Sequence, residues 1–140
     1  MSNIIKIKTG SIYEDQASYS RAVKVDNWIY MSNTAGRNPK TKLIPEDITE
    51  QTLQVFANIE TALVAMDASL KDVVMSRVFV PNPNDVPAVV EILGEKFKGT
   101  NPATTITCAP LAAEIYKVEI EVTAYCNTQN YQVEEMKITA

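Results

Sequence analysis

The stretch Lys117-Val118-Glu119-Ile120-Glu121-Val122-Thr123-Ala124-Tyr125 alternates between apolar and polar or amphipathic side chains without a break. Successive side chains of an extended chain point to opposite faces, so Val118, Ile120, Val122 and Ala124 share one face. Lys117, Glu119, Glu121, Thr123 and Tyr125 share the other. A strand of this kind belongs to a sheet that is covered on one side only. Just upstream, across a turn region at Pro110, Thr104–Ala109 reads as a second strand.

Two helices are available to cover the apolar face. Asp47, with Glu50 three residues later, matches a capping box and suits the positive end of the helix dipole. Leu53, Phe56, Leu63, Met66 and Leu70 then recur at mostly three- and four-residue spacings, the mark of one core-facing side. Asp85–Phe97 reads as the second helix, with Pro87 in its first turn, Val86, Val90, Leu93 and Phe97 aligned, and Gly99 closing it. Between the helices, Val73–Val80 is rich in β-branched residues and stops at Pro81-Asn82-Pro83, which cannot continue a sheet interior.

Toward the N-terminus, Ile4–Lys8 alternates as a strand with one exposed face. Ala22–Val25 and Trp28–Met31 flank Asp26-Asn27, a tight hairpin signal. Asn33–Pro45 reads as a loop. The order βββ-α-β-α-ββ predicts an α+β domain, a mixed sheet with both helices on one face. The opposite, half-polar face is either solvated or, in an oligomer, lines an interior or a subunit boundary where a cleft can form. Residues 1–126 form the expected domain, and 127–140 a C-terminal extension in which Tyr131–Ile138 is a candidate weak strand.

Composition narrows the chemistry. With 140 residues, 46% hydrophobic and 21% charged, the chain fits one core without a disulfide or metal staple. It contains no histidine, which excludes Ser-His-Asp and Cys-His machinery, two-His zinc motifs and haem on a proximal histidine. Cys108 and Cys126 lack metal-ligand spacing and read as small core or interface residues, so no metal site is expected. Acid–base work falls to carboxylates, Lys, Tyr or bound water. The net charge is −4 and the pI about 4.8. Lys40 and Lys42 make the nearest thing to a basic cluster, and Glu46 and Asp47 follow at once, so no nucleic-acid partner is expected. No apolar run approaches a membrane span and the N-terminus lacks signal-peptide features, which predicts a cytoplasmic protein without a membrane partner.

Several segments in consistent order resemble the reactive intermediate deaminase family, also called YjgF or RidA. Ser18-Tyr19-Ser20-Arg21-Ala22-Val23 resembles its "GPYSQAV" signature, and Trp28–Ser32 stands in the place of its "LIFTSG" strand. Asn58-Ile59-Glu60 through Ala68–Val74 resembles its "NIxxxLxxAGxSLxDVV" helix and turn. Asn101-Pro102-Ala103 and Val118–Glu121 match the flanks of "PARxxV…VEIE". The resemblance implies a fold like the trimeric α+β chorismate mutases: a homotrimer with a central barrel of sheets, helices outside and a small-molecule cleft at each subunit boundary. It implies hydrolysis of enamines and imines to 2-keto acids and ammonia without a cofactor. An arginine of the "PAR" block grips the substrate carboxylate, and the first glutamate of "EIE" positions or activates water.

Carried over residue by residue, Glu119 is the candidate catalytic glutamate, with a plain solvated strand carboxylate as the competing reading. Tyr19, Ser32, Asn33 and Thr104 are the candidate substrate-binding residues. Asn33 and Thr34 replace the glycine and glutamine that follow the family's serine. Thr104 stands where the arginine belongs, and none of the three arginines, Arg21, Arg37 and Arg77, lies in that block. Arg21 and Arg37 read as solvated side chains, with a reach into the cleft as the alternative. The leading reading is therefore an enamine or imine deaminase with an altered carboxylate site. A non-catalytic binder of a small metabolite, such as a 2-keto acid, is the alternative. A ribonuclease or translation inhibitor is disfavoured by the acidic balance and the missing histidine.

Overall fold

A computed structural model describes residues 3–139. The hairpin signal is realised as β2 (Ala22–Val25) and β3 (Trp28–Met31), paired antiparallel with Val25 opposite Trp28. Asp26 alone takes the left-handed conformation that the tight turn requires, at φ 52°. β1 (Ile4–Ile7) adds to the outer side of β2. As the sheet's edge it exposes Ile4, Ile5 and Lys6 alike, not one face as the alternation predicts. A short helix, α1 (Ile12–Gln16), interrupts the expected run of strands. Ser11 caps it, and the buried Glu14 accepts from Thr9 N and Thr9 Oγ1 at 2.9 and 2.6 Å. The expected loop opens with a two-residue strand, β4 (Thr34–Ala35).

Asp47 caps α2 (Ile48–Val64), accepting from Glu50 N at 3.0 Å, which is the Asp47 half of the expected capping box. The buried stripe is shifted from the predicted one. Val55, Phe56, Ile59 and Leu63 are fully enclosed, whereas Leu53 is 43% exposed. At about 100° per residue Leu53 falls roughly 105° from the centre of that arc, in which Thr52 lies, with Gln51 buried on the arc's other flank. Met66 and Leu70 lie beyond the helix end, though both join the core. After β5 (Val73–Phe79), α3 (Val86–Lys96) crosses to β6 (Ala103–Thr107), which pairs parallel with β5. Val89, Ile92, Leu93 and Phe97 bury the inner side of α3, while Val90 stays exposed beside that arc. Phe97 meets Phe56 edge to face at 5.4 Å, which locks the two helices together.

β7 (Glu119–Tyr125) lies at the centre of a sheet ordered β1-β2-β3-β7-β5-β6, with β4 also paired to β7. Val118, Ile120, Val122 and Ala124 are at most 1% exposed and face both helices, as the alternation predicts. The structure is thus α+β, with a mixed sheet, helices on one face and an uncovered other face. Tyr131–Ile138, read as a candidate weak strand, forms none and joins neither edge of the sheet, β1 or β6. The extension instead makes one turn at Thr128–Asn130, tied to the buried Asp72, which accepts from Thr128 N and Thr128 Oγ1. Cys126 is buried, whereas Cys108 lies exposed just past β6, which excludes the core half of its core-or-interface reading. Among the described residues no helix is long and apolar enough to cross a membrane.

Candidate functional site

The site begins with a register shift. β3 pairs Tyr30 with Thr123, and β4 pairs Thr34 with Ile120. Three residues, Met31, Ser32 and Asn33, therefore oppose only two of β7, Glu121 and Val122. An extra residue of this kind kinks a strand and re-aims its side chains. The kink is held by hydroxyls: Ser32 Oγ donates to Ser20 O at 2.8 Å and Thr34 Oγ1 to Ser32 O at 2.9 Å. β4 then sets Ala35 opposite Glu119.

Arg21 is drawn into the same corner. Its backbone is fixed by Arg21 N donating to Ile7 O at 2.8 Å and Ser32 N donating to Arg21 O at 2.9 Å. Ala22 is buried, so by alternation Arg21 faces the uncovered side, as Glu119 does. Its Nη2 donates to Asn33 O at 2.7 Å, and its guanidinium carbon lies 5.7 Å from the centre of the Tyr19 ring. The expectation that Arg21 is a solvated side chain is corrected: it is half-buried.

Glu119 is half-buried as well. Desolvation pushes its carboxyl above the ordinary carboxylate range, and the nearby Arg21 charge pulls part of that back. The two do not close into an ion pair. The ion pairs among the described residues are Lys8–Asp15, Arg77–Glu121 and Lys96–Glu60. Glu119 thus retains an unpaired carboxyl with raised proton affinity, the property a general acid–base group needs near neutral pH.

Thr104 does not join this cluster within one chain. It lies opposite Ser76, which lies opposite Val122, while Glu119 is opposite Phe79. Two strand spacings sideways and three residues along separate Thr104 from Glu119 by about 14 Å. Thr104 Oγ1 also donates to Pro102 O at 3.0 Å, which leaves it to accept from the buried Ser76 Oγ at 2.7 Å. Its single proton is therefore committed inside the protein. Arg37 lies elsewhere, bonded to Lys42 O at 2.7 Å and to Tyr116 Oη at 3.2 Å. It borders an open groove of about 430 Å³ that also includes Pro45, Ile115 and Lys117. A second open groove, about 560 Å³, runs between the C-terminal extension and Lys98–Pro102. Neither includes Arg21 or Glu119.

Tyr19, Ser32 and Asn33 are thus gathered around Arg21, whose charge reaches Glu119, and Thr104 is not among them. Arg21 is the member that sequence reasoning undervalued. The available signal was its alternation with the inward-facing Ala22, which places it on the side of the sheet that carries Glu119. Among the described residues no three His, Cys, Asp or Glu side chains gather to hold a metal ion.

Helices on one sheet face and a carboxylate–guanidinium corner on the other define the class: an α+β protein with a small polar site at a kinked strand. The model of the family described as Endoribonuclease L-PSP matches residues 11–126. The chain belongs to this family, the one that also holds the YjgF/RidA proteins. It is 35% identical to a 2-iminobutanoate/2-iminopropanoate deaminase of Dermatophagoides farinae, over 74% of this chain and 81% of that protein. It is 32% identical to a deaminase of the same name from Mus musculus, over 89% of this chain and 94% of that one. Among solved structures, a YjgF/YER057c/UK114 family member from Mycobacterium tuberculosis superposes with a TM-score of 0.80 at 31% identity, covering 88% of this chain and 99% of the other.

Proposed function

We propose that the protein hydrolyses small enamines or imines to a carbonyl product and ammonia, in a cleft walled by two copies of the chain in a homotrimer. The observation that carries this reading is Glu119, a half-buried, unpaired carboxyl of raised proton affinity beside the Arg21–Asn33–Tyr19 corner. The names borne by the two deaminase relatives support the substrate class. A site on a sheet face that one chain leaves uncovered also explains why neither groove of the single chain contains it.

Chemically, an imine carbon is attacked by water to give a carbinolamine, which then expels ammonia and leaves a carbonyl. Glu119 as carboxylate accepts a proton from the attacking water. As the acid it returns that proton to the imine nitrogen, which completes the carbinolamine. It then takes the carbinolamine hydroxyl proton and passes it to the departing amine, so ammonia leaves, the carbonyl forms and the group ends as it began. The nearness of Arg21 keeps the carboxylate form within reach.

The alternative, a binder without turnover, is favoured by Thr104, whose hydroxyl is committed to Pro102 and Ser76 where the resemblance implies an arginine. The deciding experiment follows ammonia release from freshly generated 2-iminopropionate. The native protein should exceed the uncatalysed rate, and Glu119→Gln should lose about 100-fold or more. A native protein no faster than buffer leaves the binder.

A further inference from the structure

The geometry points to Arg21 as the group that takes the carboxylate of this site's ligand, in place of a cation at position 104. The assignment rests on the deaminase reading for the class of ligand, a small monoanionic 2-keto or 2-imino acid. It rests on geometry alone for the charge.

The guanidinium is held as a ligand-binding arginine needs to be held. One face lies toward the Tyr19 ring, Nη2 is anchored on Asn33 O, and the backbone is bonded on both sides to Ile7 and Ser32. A side chain fixed this way gives up little rotamer freedom when an anion arrives. Yet it has no counter-ion. Arg77, by contrast, is paired with Glu121 on the same sheet face. A half-buried charge without a partner is costly to maintain unless something completes it.

Unused hydrogen-bonding capacity collects at the same point. Arg21 Nε and Asn33 Oδ1 are the two buried side-chain polar atoms without a partner among the described residues. Nη1 has no partner either, yet it is not enclosed, so it is the end of the fork that faces outward. An anion there meets Nη1 and the second N–H of Nη2 in the paired geometry that suits a carboxylate. Glu119 lies within the field of the same guanidinium. A 2-imino acid gripped by its carboxylate therefore presents its reacting carbon, one bond away, on the side of the sheet that carries Glu119. A threonine at position 104 is compatible with this arrangement, because the charge enters from β2 instead of β6.

The test is calorimetry with pyruvate on the full chain in its native assembly. Native protein should bind pyruvate, Arg21→Gln should weaken it at least 10-fold, and Arg21→Lys should fall between, since an ammonium lacks the fork. Arg37→Gln should match native. Native protein that fails to bind pyruvate, or a folded Arg21→Gln that binds it as native does, overturns the assignment. Should Arg21→Gln not fold, phenylglyoxal labelling of native protein read by mass spectrometry decides. Pyruvate should protect Arg21 selectively over Arg37 and Arg77, and equal or absent protection overturns the assignment. The outcome is separable from that of the deaminase reading. Arg21-dependent pyruvate binding without ammonia release sinks the hydrolase and leaves Arg21 in place, and ammonia release with pyruvate affinity indifferent to Arg21 does the reverse.

Discussion

Gln51 Oε1 accepts a hydrogen bond from the Lys117 backbone N–H at 2.7 Å, so the first turn of α2 sets the point at which β7 begins. The same oxygen accepts from Val118 N at 3.3 Å, and Nε2 donates to Pro45 O and Ile115 O at 2.7 and 3.1 Å. The amide is fully buried and fully satisfied, and it ends one residue short of Glu119. Gly36 is packed against it so closely that an added Cβ would stand 2.5 Å from Gln51 O.

Gln51→Leu should therefore lower stability by about 3 kcal/mol or more, because it leaves the buried Val118 N–H and the part-buried backbone groups of Pro45, Ile115 and Lys117 without their partner. Chemical denaturation measures this. Gly36→Ala should also destabilise, since the atom it would strike is backbone and cannot swing aside. Folded Gln51→Leu protein should lose kcat more than KM, as Glu119 is displaced without loss of the ligand's anchor.

Glu119→Gln should raise the melting temperature at neutral pH. Its folded-state pKa is raised by desolvation, so the folded protein favours the protonated form. The associated stability is complete below the unfolded-state pKa and is lost as pH rises through the folded-state value. Above its folded-state pKa the native protein thus carries an unfavourable half-buried charge that the amide lacks. Thermal melts of the two proteins should converge near pH 4, and a gap that is constant with pH would exclude this origin.

The acidic limb of the pH–rate profile should move upward in Arg21→Gln. The Arg21 charge lowers the Glu119 pKa, and removing it lets desolvation act unopposed. Ammonia-release rates across pH 4–8 check the sign, and an unmoved limb would mean that Glu119 is not the group titrating.

Light scattering should give three times the 15.5 kDa mass of one chain. Trp28, Tyr30 and Met75 are between 40% and 51% exposed on the uncovered sheet face, apolar area that an assembly would bury. Met75→Glu should shift the protein toward smaller species and reduce ligand binding with it.

Ending the chain after Asn130 should change stability little, because Tyr131, Val133, Met136 and Ile138 are all exposed. Asp72→Ala should cost about 2–4 kcal/mol, since Ser69 N, Thr128 N and Thr128 Oγ1 all donate to that buried carboxylate. Denaturation of the two variants side by side tests the contrast.

What the sequence determined by itself was local. The two-residue period of 117–125, the Asp47 cap and the Asp26-Asn27 turn each depend on neighbours a few positions away, and each appears where it was read. The helix stripe was legible but displaced, because Gln51 and Thr52 are polar residues that the core accepts only once their partners arrive from distant segments. The site depended on tertiary structure for a related reason. Arg21 meets Asn33 through antiparallel pairing, and it nears Glu119 only because a one-residue bulge shifts β4 along β7. Thr104 is claimed by Ser76, 28 positions away, through a parallel register that a crossover helix sets. A slip of one residue in either register would turn these side chains to the opposite face. Such registers are decided by packing over the whole sheet, and no local pattern records them.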